Sequence, residues 1–152
     1  LSMSVTPVLS DEHQVLVELD SFWAEISRTV GEGDFQAYSK TYHKDAVVVS
    51  GISNTSQPVS RSLLEWENGF AETRAGENKV NLAFRFTNRI NDATTAHEKG
   101  IFSYTSVRDG GEAKTTYFHF EALLVKQEKW KTLMEYQIAL ASKEEWQEAH
   151  KP

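Results

Sequence analysis

Three strand-like runs follow one another in the second half of this chain with almost nothing between them. They cover residues 94–107, 114–127 and 130–141, joined by Arg108-Asp109-Gly110-Gly111 and by Glu128-Lys129. Runs so rich in Thr, Tyr, Phe and Val favour extended backbone, and connections this short leave only antiparallel neighbours. The helical patterns all lie upstream. Helices first and a curved sheet after them describe a cone with a pocket.

Upstream, Ser10 is placed to cap a helix beginning at Asp11-Glu12, with acidic residues at its positive end. Val15, Leu19, Phe22, Trp23, Ile26 and Val30 recur at three- and four-residue steps, one apolar stripe, and Gly31 and Gly33 end it. Asp34 caps a shorter helix whose Phe35, Tyr38 and Tyr42 share a face. His43-Lys44-Asp45 breaks that helix, and 46–50 reads as a short buried strand. Residues 51–60 read as a polar loop, after which Ser60 or Ser62 caps a third helix carrying Leu63, Trp66 and Phe70 and closed by Gly76. Residues 79–90 alternate Leu82, Phe84 and Phe86 against Asn81, Ala83 and Arg85, a half-buried strand. The fold class is therefore α+β: three N-terminal helices on a strongly curved, mainly antiparallel sheet. Residues 1–9 form an extended arm, 10–141 the domain and 142–152 a tail.

At 152 residues the chain suits one domain with a single core. A net charge of −6 with no basic run argues against nucleic acid. The absence of Cys removes disulfides, thiolate metal sites and a Cys nucleophile, and selects no compartment. No apolar run approaches the roughly 20 residues that span a bilayer, so no membrane partner is expected. The chain opens on Leu1, which leaves room for a removed upstream segment. A soluble protein is expected, with the cytoplasm favoured over export. No pair of histidines and a carboxylate has metal-ligand spacing, and no phosphate loop or nucleophile elbow is present. No metal and no cofactor are expected.

Alternation sorts the strands into two faces. Phe118, Phe120, Ala122 and Leu124 form the apolar row that should meet the helices, with Leu82, Phe84 and Phe86 beside them. Trp130, Met134, Tyr136 and Ile138 are assigned inward on the last strand, and Ala96, Glu98, Gly100, Phe102 and Tyr104 on the first of the three runs. Glu98 is then the one carboxylate on the concave face, where aromatic surroundings raise a carboxyl pKa and prepare a general base. The plainer alternative is a rim carboxylate, hydrated or hydrogen-bonded to a Tyr or Trp. Tyr104 and Tyr136 are the candidate donors to a developing oxyanion. Tyr38, Tyr42, Trp66, Phe70, Phe84, Phe102, Phe118 and Met134 are the candidate walls of a cavity of roughly 300 Å³ or more. The other row mixes charge of both signs with apolar groups. His119, Glu121, Leu123, Val125, Leu133 and Glu135 therefore suit a convex face covered by a second copy of the chain.

The order of parts resembles the SnoaL-like and ketosteroid-isomerase-like superfamily, with its nuclear transport factor 2-like fold, from about Ser10 to Ala141. Two local matches carry the resemblance: Asp34-x-x-x-Tyr38 followed by Tyr42-His43-x-Asp45-Ala46-Val47, and Lys126-Gln127-Glu128-Lys129-Trp130-Lys131. The usual Gly of that last hairpin is replaced by Glu128 or Lys129. The resemblance implies homodimers that bury sheet against sheet, a cavity in each subunit, and activities from isomerisation to plain binding. Enzymes of this kind set an Asp or His base in the cone; here no Asp lies on the inward rows. Three functions stand in order: a homodimeric module for a small apolar or aromatic ligand, an isomerase or lyase working by proton transfer, and a scaffold whose cone is filled by its own side chains.

Overall fold

The computed structural model describes residues 11–150. The arm at 1–9 and the cap at Ser10 lie outside the described residues. The elements are α1 (Asp11–Glu32), α2 (Phe35–Lys40), β1 (Tyr42–Ser50), β2 (Thr55–Pro58), α3 (Val59–Arg74), β3 (Asn78–Asn91), β4 (Thr95–Arg108), β5 (Lys114–Gln127), β6 (Lys129–Ala141) and α4 (Lys143–Glu148). Helices pack on one six-stranded sheet in the order β2-β1-β6-β5-β4-β3. Among the described residues only the β1–β6 pairing is parallel.

The α1 stripe buries Val15, Leu19, Phe22, Trp23 and Ile26 against the sheet. Gly33 then turns the chain with φ +72°, and a side chain there would meet Phe70 O and Arg74 N at 2.6 Å. That close approach lets the end of α3 seat on the corner, where the Arg74 guanidinium donates to Gly33 O at 3.0 Å. Asp34 caps α2 by accepting from Ala37 N at 3.1 Å.

Local boundaries differ from expectation in three places. The second helix stops at Lys40, so Tyr42 opens β1. The polar stretch after Gly51 contains β2, which pairs with β1 through Ser56 and Val49. Pro58 rather than Ser60 or Ser62 precedes α3. A proline is tolerated at a helix start, and the Ser62 hydroxyl is already engaged, accepting from Gln57 Nε2 at 2.8 Å.

Two kinds of bulge shape the sheet. On β3 the register slips between Phe86 and Asn88, opposite Gly100. A Cβ on Gly100 would collide with Arg85 O, so the strands close together only because that position is glycine. On β6 the partner of Leu124 is Thr132 but that of Leu123 is Met134, leaving Leu133 as an extra residue. A second slip leaves Ile138 extra between Gln137 and Ala139. Between the two slips, Glu135 stands opposite Ala122 and Gln137 opposite Phe120, while Met134 and Tyr136 stand opposite Leu123 and Glu121. Residues directly opposed share a face. The assignment of Met134 and Tyr136 to the interior, and of Glu135 to the convex face, is thereby reversed.

The segment after Ala141 folds rather than trailing. Ser142 and Glu145 form a reciprocal capping box for α4. Trp146 lies 4.3 Å beneath the Arg85 guanidinium and 5.7 Å from the Tyr117 ring. His119 Nε2 sits 2.7 Å from Glu145 Oε2, and His150 pairs its backbone with Phe86. Arg85, Tyr117 and His119 belong to the outer row, and Ile101, opposite both Arg85 and His119, is 1% exposed. His119 is therefore engaged by the chain's own C-terminal helix, which corrects its assignment to a surface open for a partner.

Candidate functional site

A cavity of about 400 Å³ lies between the helices and the concave face. One face of α3 overlooks it through Glu65, Trp66, Gly69, Phe70 and Thr73, positions spaced to fall on one side of a helix. Trp23, Ile26 and Val30 of α1 and Tyr38 of α2 form the adjoining wall. The sheet supplies Leu82, Phe84, Phe102, Tyr104, Phe118 and Phe120. Their rings hold one another: Phe102 stacks on Phe118 with centroids 4.7 Å apart, and Trp23 packs on Phe84 at the same distance. Such interlocked aromatics keep a cavity open because no single ring can collapse into it without breaking contacts with the others.

The polar end is built on β6. Glu135 and Gln137 line the cavity, and Glu135 is deeply surrounded by protein while keeping some surface. The Tyr42 hydroxyl donates to Glu135 Oε1 at 2.8 Å, and Gln137 Nε2 donates to Oε2 at 2.9 Å. The hydroxyls of Tyr42 and Tyr38 are 2.9 Å apart, so the chain of hydrogen bonds reaches from the sheet to α2. Each Glu135 oxygen keeps a lone pair for a further donor. Burial lifts the Glu135 carboxyl above its ordinary value of 4.5, and the hydrogen bonds from Gln137 and Tyr42 only partly offset this. Burial, with the Glu135 charge beside it, also pushes the Tyr38 and Tyr42 hydroxyls well up, so both remain protonated donors. Among the described residues lining the cavity there is no Lys, Arg or His.

Of the expected walls, Tyr38, Trp66, Phe70, Phe84, Phe102 and Phe118 line the cavity. Tyr42 stands just behind, acting through Tyr38 and Glu135. Tyr104 also lines it, 37% exposed, with burial raising its hydroxyl pKa. Met134 and Tyr136 do not, because the slip at Leu133 turns them outward.

The base assigned to Glu98 requires correction. Glu98 does sit on the inward row and is fully buried, but outside the cavity wall. Arg89 clamps it with two hydrogen bonds, Nε to Oε2 and NH2 to Oε1, both 2.9 Å, and also binds Asp20. Trp23 Nε1 donates to it at 3.4 Å while the Trp23 ring lines the cavity, so the indole stands between the two. With both oxygens engaged by Arg89 and no face on the cavity, Glu98 cannot reach a molecule held there.

Glu135, Gln137 and Trp23 were missed as site residues. Trp23 was legible only as part of a core stripe. For β6, both rows are amphipathic, and the one available signal is the doubled apolar pair Leu133-Met134, which interrupts alternation where the bulge falls.

No protein-family profile matches the chain, and no curated protein matches it. Solved structures do. An NTF-2-like protein of unknown function from Shewanella oneidensis superposes with a TM-score of 0.62 at 14% identity, over 80% of this chain and 97% of that one. A ketosteroid isomerase-like protein from Erwinia carotovora atroseptica gives 0.61 at 16% identity, over 84% and 95%. The β subunit of the benzoate 1,2-dioxygenase from Burkholderia mallei gives 0.69 at 14% identity, over 83% and 90%. Likeness at such identities is one of fold. The chain has the α+β architecture of the nuclear transport factor 2-like and ketosteroid-isomerase-like proteins. Among the described residues no helix is long and apolar enough to cross a membrane.

The raised Glu135 pKa has a consequence for stability. A carboxyl whose folded pKa lies above its unfolded one stabilises the fold below the unfolded value, and that contribution is lost as pH rises through the folded value. Relative to Glu135→Gln, the native protein should lose stability as pH climbs from about 4.5 into the raised range. Urea midpoints of the two proteins across pH measure this; a difference that stays flat, or grows in favour of the native protein, contradicts the burial of an unpaired carboxyl.

Proposed function

We propose that the protein binds a small, largely apolar organic molecule in the cone, with the Glu135, Tyr42 and Gln137 group fixing its one polar end. The observation that carries this reading is an aromatic cavity of about 400 Å³ with a hydrogen-bonded carboxyl at one end. Ligand sites commonly combine an apolar wall with a few convergent polar atoms. A second reading, an isomerase or lyase, is favoured by the raised Glu135 carboxyl facing an apolar space, the condition of a poised general base or acid. In that reading Glu135 replaces Glu98 as the base, and the linked Tyr42 and Tyr38 hydroxyls hold its carboxyl in place. The printed name of the ketosteroid isomerase-like neighbour points the same way.

Gly69 offers a test that separates binding from folding. It sits in the middle of the α3 face over the cavity, and a Cβ there meets nothing within 4 Å. Gly69→Leu should keep or raise the melting temperature, since replacing a helix glycine gains up to about 1 kcal/mol. The same change should weaken binding of the neutral fluorescent probe N-phenyl-1-naphthylamine by roughly tenfold, about 1.4 kcal/mol. Unchanged probe affinity in a folded variant contradicts the cavity as the binding site.

For assembly, we propose that the part of the outer sheet face left open by α4 seats a second copy. Leu123 and Val47 are 40% and 38% exposed there, on the rows that also carry Met134 and Tyr136. In sedimentation the native protein should run as a dimer and Leu123→Asp at the single-chain mass of 17.2 kDa. A native monomer, or a variant that remains dimeric, contradicts this interface.

A further inference from the structure

The cavity carries acid without base. Its lining holds two carboxyls, Glu65 and Glu135, and no basic side chain among the described residues. Other carboxylates set against this core are each matched by a cation. Glu98 is clamped by Arg89, and Glu18 accepts from Lys126 Nζ at 2.9 Å as well as from Trp130 Nε1. The partners of Glu135 are a phenol and an amide, both neutral. Burying an ionised carboxylate without a counter-charge costs several kcal/mol. Burial answers that cost by lifting the Glu135 carboxyl above its ordinary pKa.

Beside this carboxyl stands an aromatic corner. The Tyr38 ring lies 6.1 Å from that of Trp66, and Tyr42 lies 6.5 Å from the same indole. Ring faces attract cations, most strongly when water is excluded. Glu65 adds a second negative charge on the α3 side, its Oε2 accepting from Gln57 at 3.1 Å. An anionic ligand would meet two carboxyls and no cationic donor among the described lining residues.

We propose that the molecule this site takes is a hydrophobic cation: an ammonium group on an aromatic or alicyclic body. The inference rests on the reading of the cavity as a ligand site. The ammonium supplies the counter-charge that the protein withholds from Glu135, and its N–H groups fill the free lone pairs on Oε1 and Oε2. The apolar body occupies the space between Phe84, Phe102 and Phe118. A neutral alcohol of the same shape gains the burial and loses the ion pair.

Calorimetric titration of the native protein with 4-phenylbutylamine, 4-phenylbutan-1-ol and 4-phenylbutanoate tests this. The amine should bind at least roughly tenfold tighter than the alcohol, with the butanoate weakest, as expected for a charge-assisted contact. Glu135→Gln should remove most of the gap between amine and alcohol. An alcohol or butanoate that binds as tightly as the amine overturns the proposal, as does a Glu135→Gln variant that keeps the amine preference. If that variant does not fold, the ranking on the native protein decides alone. If none of the three binds while N-phenyl-1-naphthylamine does, the cation preference falls and the ligand site stands. If the naphthylamine fails as well, the ligand site itself falls.

Discussion

One extra residue in β6 decides which side chains look into this molecule. Leu133 has no partner of its own on β5, and from that point to Ile138 the strand runs with its faces exchanged. The exchange brings Glu135 and Gln137 under the helices and sends Met134 and Tyr136 to the outer surface. Without it a methionine and a phenol would stand along β6 where the carboxyl and amide now stand. The parallel pairing with β1 agrees with this, since Val48, buried, stands opposite Glu135.

Two carboxyls inside the same sheet illustrate how environment sets role. Glu98 and Glu135 both reach the concave side, one on β4 and one on β6. Glu98 is closed in by Arg89, with Asp20 satisfying the same guanidinium from α1. Removing one partner of such a buried pair leaves a charge uncompensated, so the cluster is a fastening between helix and sheet. Glu135 has only neutral partners and an open space before it. The first arrangement matches its carboxylate with a cation inside the protein; the second leaves its carboxyl facing the cavity with neutral partners.

Much of the architecture was readable from the residues. The apolar stripe from Val15 to Ile26, the cap at Asp34, and the rows Leu82–Phe84–Phe86 and Phe118–Phe120–Ala122–Leu124 follow from periodicity, which reports directly on which face meets the core. The aromatic walls were legible for the same reason. Three matters were not. A bulge adds one residue to a strand without changing its composition, so the reversal on β6 left little trace beyond Leu133-Met134. Arg89 lies nine residues from Glu98 in sequence, and their pairing depends on the slip at Thr87 and Asn88 that no single-strand pattern records. The C-terminal segment folds back through Trp146 and His150 onto β3 and through Glu145 onto β5, contacts invisible until the strands are in place. The outer face was therefore assigned to a second copy of the chain when α4 engages part of it.

Glu135 occupies the interior, and among the described residues lining the cavity no cation stands beside it. A carbon NMR titration of the glutamate side-chain carboxyls, with the Glu135 resonance identified by its loss in Glu135→Gln, reads this directly. The account predicts a Glu135 midpoint clearly above the ordinary 4.5. A midpoint at or below that value would place the carboxyl in water or beside a positive charge, and would contradict both the register of the last strand and the site built on it.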